Sequence, residues 1–461
     1  MLFAEGLMAI DKHGRPTERL AESWKWEDDG LTLRVHLRPG VRFHDATPVT
    51  AEVVTNILRQ RIDAALRQRK EKLEGFEAVK SIEALDTQTI LFHLSRPDGF
   101  LPSVLGNTSI VDDKKPDVGT GPYRLVSKSP KLVAERNTSY YRGLPGFEQI
   151  IVSGYPTPRA AWAGLMAGDV DLALEINGES VEFIEGAAQF ETYSSIQPYY
   201  IPLVFNFRNP ILARPEVRRA IFEAIDREEI VSQAMRGRGQ VADDPIWPAH
   251  WAALRPPGKR PPPNQNAARM RLDTAQLPLR AAGSGQRASR FQLKCMFYNG
   301  DPQFERIALL LERQLAAVDI DLVPEGLSYN EVVSRLQAGQ FDSYLFRLTS
   351  GRDLTWVYRF WHSPSGALGT VRQNTGYSGA DAVLDRLRQA RDDQDQENEE
   401  IRVGVSDLRQ RFYDDLPAVF LAWMQTTRAV DKKFDLGDRT DPEILANIYR
   451  WRPATDQTAS R

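Results

Sequence analysis

Six histidines are the first residues to weigh as chemistry: His13, His36, His44, His93, His250 and His362. No two of them form HExxH or a close pair on one helix face, so a local zinc-hydrolase motif is missing. Ser363 has His362 beside it in WHSPSG. Adjacent residues seldom set an imidazole on the neighbouring hydroxyl, and no GxSxG occurs. Cys295 is the single cysteine, which excludes an intramolecular disulfide and any multi-cysteine metal or iron–sulfur site. Its setting, FQLKCMFY, reads as a buried, inert thiol. GTGPY at 119–123 lacks a GK[ST] ending and a GxGxxG leading into a helix, and Pro122 removes an amide that an anion nest needs. It reads as a tight turn. The charge run ARDDQDQENEEIR reads as a solvated helix face, and no glycosidase pair stands out among the acids. Aromatic residues are the more suggestive set. Trp356, Tyr358, Phe360 and Trp361 crowd WVYRFWHS, just after Arg352 and Asp353, and YYIPLVFNF and IWPAHW add further rings. Two readings stay open for them: core packing, or the wall of a pocket for a polar or amphipathic ligand.

The elements that must position these residues can be read from periodicity. Leu31, Leu33, Val35 and Leu37 alternate with polar residues as a half-buried strand, which Pro39-Gly40 stops. Val53, Val54, Ile57, Leu58 and Ile62 then mark one face of a helix, with Thr50 at its start. AVKSIEALDTQTILFHL reads as two strands joined near Asp86. RAAWAGLMAG followed by DVDLAL, and SYNEVVSRLQAG followed by QFDSYLF, repeat one solution: helix, glycine, strand with an aspartate. Ser328 and Glu331 fit a capping box. Pro215 opens a helix whose core face is Val217, Ala220, Ile221 and Ala224. Asp226 and Glu229 cap a second, with Ile230, Val231 and Ala234 inside. PPGKRPPPNQNAAR predicts an extended surface loop. Phe304, Ile307, Ala308, Leu311, Leu315 and Val318 predict an amphipathic helix, DIDLV a strand, and the stretch from about 380 to 413 one long helix before the apolar run of DDLPAVFLAW.

With 461 residues the chain is long enough for two or three units with sizeable cores. Hydrophobic residues make up 42% and charged residues 26%, as in an ordinary soluble globular protein, and the formal net charge of -3 argues against a nucleic-acid binder. No window holds an apolar run long enough to span a membrane. The opening MLFAEGLMAIDKHG has neither a basic n-region nor a cleavage site, so it is not a signal peptide. The alternation of strand and helix predicts a soluble α/β protein of two units, each with its own sheet.

RLAESWKWEDDGLTLRVHLRPGVRFHDATPVTAEVV closely resembles the signature of the family 5 extracellular solute-binding proteins, the peptide-, nickel- and opine-binding subunits of ABC importers. VGTGPYRLV, KLVAERNTSYYRG, TPRAAWAGLMAGDVDLA, VFNFRNPILARPEVRRAIFEAIDREEIV and DDLPAVFLAWMQTTRAVDKKFDLG resemble further stretches, in family order over nearly the whole chain. The resemblance implies an α/β, two-lobed periplasmic-binding-protein-like fold (type II, cluster C). Its discontinuous first lobe holds 1–204 and returns at 425–461, its second lobe is 205–424, and hinges lie near Phe205-Asn206 and Met424-Gln425. It implies an export signal and a first strand and helix ahead of LFAEGL, which this chain lacks; a misassigned start, a shortened chain and a cytoplasmic derivative all fit. Ala46 and Glu52-Val53 depart from the family pattern, as structural changes.

The function the resemblance implies is capture of a solute between the lobes and its delivery to a membrane permease, with a peptide as the first-choice ligand and a nickel chelate, opine or sugar as others. The location implied is the periplasm or the extracytoplasmic membrane surface, and the state a monomer. No catalytic residue, metal or cofactor and no nucleic acid enters this reading. Asp353 is the positional candidate for pairing with a peptide N-terminus, against a reading as a turn or cap aspartate. Trp356 and Tyr358 would stack on ligand, Arg347 or Arg352 would meet a carboxylate, and Tyr200 and Trp247 would contribute to the facing surface. Two other classes remain open: a hydrolase assembled from distant residues, and a cytoplasmic solute sensor or chaperone on the same fold.

Overall fold

The computed structural model describes residues 2–27, 29–69, 73–176, 181, 183–184, 187–253, 261–280, 288–363, 374–391, 398–439 and 441–454. The chain forms two compact units, both discontinuous in sequence: Met1–Ser195 with Arg388–Asn398 and Thr426–Arg461, and Ile196–Leu387 with Glu399–Gln425.

In the first unit β1 (Met8–Ile10) and β2 (Pro16–Glu18) form a hairpin ahead of β3 (Ala21–Trp26) and β4 (Thr32–Leu37). α1 (Ala51–Arg69) follows, its first turn held by Thr50 Oγ1, which accepts from Val53 N at 3.3 Å. β5 (Val79–Ala84) and β6 (Thr89–Leu94) complete an antiparallel sheet of order β3-β4-β6-β5. Asp86 turns the chain between them by accepting from the amides of Gln88 and Thr89. Leu33, Val35 and Leu37 of β4 pack with Val54 and Leu58 of α1, Phe92 of β6 and Phe76 in one core, as alternation in the strand and helical spacing in α1 require.

After α2 (Leu101–Asn107), β7 (Tyr123–Ser127), β8 (Leu132–Arg136) and β9 (Gln149–Val152) form a second antiparallel sheet. α3 (Pro158–Met166) is capped by Thr157, and β10 (Leu172–Ile176) follows the left-handed Gly168. GTGPY is a turn whose glycines admit neighbouring backbone. A Cβ on Gly119 would lie 2.1 Å from the Phe3 carbonyl oxygen, and one on Gly121 2.4 Å from that of Leu2. His44 clasps the same turn, its Nε2 facing the Gly121 carbonyl at 3.0 Å and its Nδ1 accepting from Gly119 N at 3.4 Å.

β11 (Phe190–Phe205) starts in the first unit and ends in the second, where α4 (Pro215–Ala224) buries Val217, Ala220, Ile221 and Ala224. The regular helix predicted after Asp226 is instead a single α-turn, α5 (Arg227–Glu229), widening into a π-turn at Ile230–Ala234. Asp226 does cap Glu229 N, and Ile230, Val231 and Ala234 do face inward. The wide turn frees the Ala234 carbonyl, which accepts from Arg306 Nε at 3.0 Å. β12 (Gly239–Val241) follows. The expected loop over 256–269 is also corrected. Its first half lies largely outside the described residues, and Gln265–Arg269 are helical within α6 (Gln265–Thr274) because Asn264 caps Ala267 N at 2.9 Å.

β13 (Phe291–Tyr298), α7 (Pro302–Ala316), β14 (Ile320–Leu327), α8 (Tyr329–Ala338) and β15 (Ser343–Leu345) then build parallel pairs through helical crossovers. Val318 lies just beyond α7, still buried. The Ser328–Glu331 capping box and a left-handed Gly339 bound α8. Cys295 is fully buried in β13, and burial pushes its thiol up to about 12. β16 (Leu348–Thr349), α9 (Thr355–Trp361), α10 (Asp381–Gln389) and α11 (Glu399–Asp415) complete the helical part. The single helix predicted from 380 to 413 is thus two helices. From the last turn of α10 the chain belongs to the first unit: the Arg388 carbonyl accepts from Gly99 N at 2.6 Å, and Arg391 O accepts from Asn398 Nδ2. β17 (Ala418–Asp431) starts in the second unit, where it pairs with β12, and ends in the first, where it pairs with β10. β18 (Phe434–Asp435) and β19 (Arg452–Pro453) close the first unit.

Candidate functional site

The residues singled out by sequence lie in the second unit, on β11, on the segment after β12 and on the stretch from β15 through α9. Arg347 is exposed, its guanidinium carbon 5.8 Å from the ring centroid of Tyr199, itself 42% exposed. Arg352 and Asp353 are each 5% exposed. Asp353 Oδ1 accepts from Thr355 N at 2.9 Å and Thr355 Oγ1 at 2.5 Å, which starts α9. Trp356 is half-buried, with Phe360 stacked at 5.8 Å and the Arg359 guanidinium 4.5 Å from its ring centre.

Tyr358 stacks on His362 at 4.6 Å and donates to Asp385 Oδ1 at 3.0 Å; His362 Nε2 lies 3.2 Å from the same oxygen. Tyr200 is fully buried, accepts from Trp361 Nε1 at 2.9 Å and lies against Trp423, and burial pushes its phenol well up. Trp247 is 5% exposed and meets Trp423 edge to face at 6.0 Å. Its segment is fixed by Asp244, which accepts from Ile246 N and from Arg409 Nε at 2.7 Å. Burial raises the Asp244 carboxyl, with Arg409 opposing.

The tertiary structure therefore joins Tyr200 and Trp247 through Trp423, and leaves Arg347 outside that packed set, beside Tyr199. Sequence reasoning did not single out Tyr199 or Asp385. The doubled tyrosine in YYIPL was the available signal for the first; for Asp385 there was none, since it comes from another helix. The set offers stacking faces and hydrogen bonds. Ser363 Oγ donates to Asp381, and His362 Nδ1 lies 2.8 Å from the Ser363 carbonyl oxygen, so imidazole and hydroxyl are not paired. Among the described residues, no three His, Cys, Asp or Glu side chains are grouped to hold a metal, and no helix is long and apolar enough to cross a membrane.

Two discontinuous α/β units joined by long strands define the class of the two-lobed periplasmic binding proteins. A family model described as "Bacterial extracellular solute-binding proteins, family 5 Middle" matches residues 15–367, and the chain belongs to this family. It is similar to the oligopeptide-binding protein AppA of Bacillus subtilis (strain 168), 25% identical over 467 residues, 94% of this chain and 82% of AppA. The structure of B. subtilis AppA with a nonapeptide matches at TM-score 0.76 and 22% identity, covering 98% of this chain and 93% of that one. NikA from Brucella suis with Fe(III)-EDTA matches at TM-score 0.82 and 19% identity, covering 98% and 94%. Heme-binding protein A of Haemophilus influenzae is 26% identical over 269 residues, about half of each chain. Membership makes this chain a solute-capture component of an ABC importer, of an extracytoplasmic class.

Proposed function

We propose that the chain captures a peptide or a similar small polar solute and hands it to its permease without altering it. The observation that carries this reading is the match, over 94% of the chain, to an oligopeptide-binding relative. The second unit supports it with groups suited to a peptide: an exposed guanidinium beside an exposed tyrosine, and tryptophan and tyrosine faces on α9. In this reading Arg347 or Arg352 meets a solute carboxylate, Trp356 and Tyr358 offer stacking faces, and Asp353 holds the start of α9 in place. Tyr200 accepts from Trp361 of the same helix, and Trp247 packs on the Trp423 that Tyr200 also meets. Residues 1–204 with 425–461, and 205–424, act as the two halves that a solute brings together, a population shift toward the loaded form. The non-catalytic part of the reading is supported by the separate engagements of Ser363 and His362.

Native and denaturing mass spectrometry of one gently purified sample tests this. A mass or ladder at amino-acid spacings, lost on denaturation, is the expected result. An apo mass that also fails to shift with a panel of peptides, followed by binding of a non-peptide solute, would overturn the peptide assignment.

A further inference from the structure

β13 and β15 are parallel neighbours in the second unit, and the chain leaves their carboxyl ends in opposite directions. From β13 it passes through α7 to β14 on one side. From β15 it turns to β16, which pairs with β11 on the other. In open α/β sheets such a switch of direction is where ligands bind, beyond the carboxyl ends of the strands. The residues at this point are Tyr298, the last of β13, and Phe346 and Arg347, the first two after β15. Aromatic rings run in a row there. Phe304, buried near the start of α7, stacks on Phe346 at 6.3 Å; Phe346 meets Tyr329, the first residue of α8, at 6.2 Å; and Tyr329 meets Tyr298 edge to face at 6.0 Å. All these residues belong to the second unit.

Core packing explains Phe304 and the inner side of Phe346. It does not explain Tyr329, which is 54% exposed and which α8 does not need, since the Ser328–Glu331 box starts that helix. One exposed ring is ordinary, but a contiguous row of rings that runs out to solvent at a switch point offers a stacking surface. The neighbouring helix starts are closed to an anion by their own acids: Asp301 Oδ1 accepts from Gln303 N at 2.9 Å, and Glu331 Oε2 from Ser328 N at 3.0 Å. A carboxylate there falls to Arg347, which is exposed, next in the chain to Phe346, and in no ion pair among the described residues. We infer that Tyr298, Tyr329 and Phe346 form a subsite for an aromatic group, and that the preferred solute carries its ring beside a carboxylate, as a peptide with a C-terminal aromatic residue does. The identity of the solute rests on the solute-capture reading above; the ring subsite itself does not.

The test uses the full chain, stripped of solute by denaturation and refolding and labelled with 3-fluorotyrosine. The Tyr329 fluorine resonance is assigned by its loss in Tyr329→Phe, with near-ultraviolet circular dichroism to verify the fold. N-acetylphenylalanine is titrated against N-acetylalanine, which carries the same carboxylate and no ring. A saturable movement of that resonance is expected with the first compound only, on the order of 10 mM, and weakened several-fold in Arg347→Gln. In a second arm, calorimetry compares alanine tetrapeptides ending in phenylalanine or in alanine. Wild type is expected to prefer the aromatic peptide by roughly three- to tenfold, and Tyr329→Ala to lose that preference while binding the all-alanine peptide as before. A resonance that does not move, or that moves equally with both compounds, overturns the subsite. A ring-specific movement with no peptide preference, or with a preference that persists in Tyr329→Ala, overturns the solute as occupant and leaves a site for free aromatic carboxylates. A ring-specific movement in a protein that binds neither peptide does the same, and locates the failure in the capture reading.

Discussion

Glu5 shows how much one residue can organise. Its carboxylate is buried and accepts from Arg19 at 3.2 Å, Tyr140 at 2.8 Å, Tyr141 at 3.3 Å and Thr120 at 3.1 Å, tying together segments far apart in sequence. Glu5→Gln removes the counter-charge of Arg19, which is also buried, and is expected to cost about 3–5 kcal/mol in urea unfolding. His44 gives a pH dependence. Burial holds its imidazole below the ordinary histidine value, and its Nε2 and Nδ1 contacts on the GTGPY turn suit the neutral ring. The unfolded chain protonates this histidine near pH ~6.5 while the folded chain resists. Its contribution is therefore full above that pH and is lost as pH falls through it toward the folded value. Wild type should lose more stability than His44→Gln between pH 7 and pH 5 in paired denaturation curves; parallel curves would refute this. Neither role was legible beforehand, because a lone Glu or His in sequence carries no record of the distant groups that close around it.

Among elements, short-range signals were the readable ones. Ser328, Glu331 and Gly339 bound α8 as their types require, and Ser328→Ala should cost about 1 kcal/mol, read as a lower Tm with an unchanged ligand response. The break between α10 and α11 was not readable. Residues 380–413 have helical composition, and what ends α10 is a contact with a distant loop. Arg388 is a half-buried cation shared by Asp98 at 2.6 Å and Glu77 at 2.9 Å; burial works against its charge, and the two carboxylates outweigh it. Gly99 sits under the same segment, where a Cβ would fall 1.7 Å from the Ala390 carbonyl oxygen. Gly99→Ala should therefore displace residues 388–391 and expose them to limited proteolysis, while Gly40→Ala, in open space, should not.

For the whole molecule the expectation concerns linkage. A solute that binds the folded chain alone raises its stability by about 2.7 kcal/mol at a hundredfold excess over Kd, so calorimetry with and without the recovered solute should separate the two transitions. Arg347→Gln should weaken that shift, by roughly tenfold in Kd, without lowering the Tm of the apo protein, since the side chain is exposed and packs on Tyr199 only at 5.8 Å. Equal losses of Tm with and without solute would assign Arg347 to folding instead.

Sequence alone determined the α/β class, the family and several helix and strand starts, since periodicity, caps and glycines act over a few residues and the family stretches run along nearly the whole chain. It did not reveal that Arg388–Asn398 belongs with the first unit, nor the π-turn at Ile230–Ala234. Those were decided by tertiary structure, because burial and hydrogen-bond satisfaction are set by which distant segments meet.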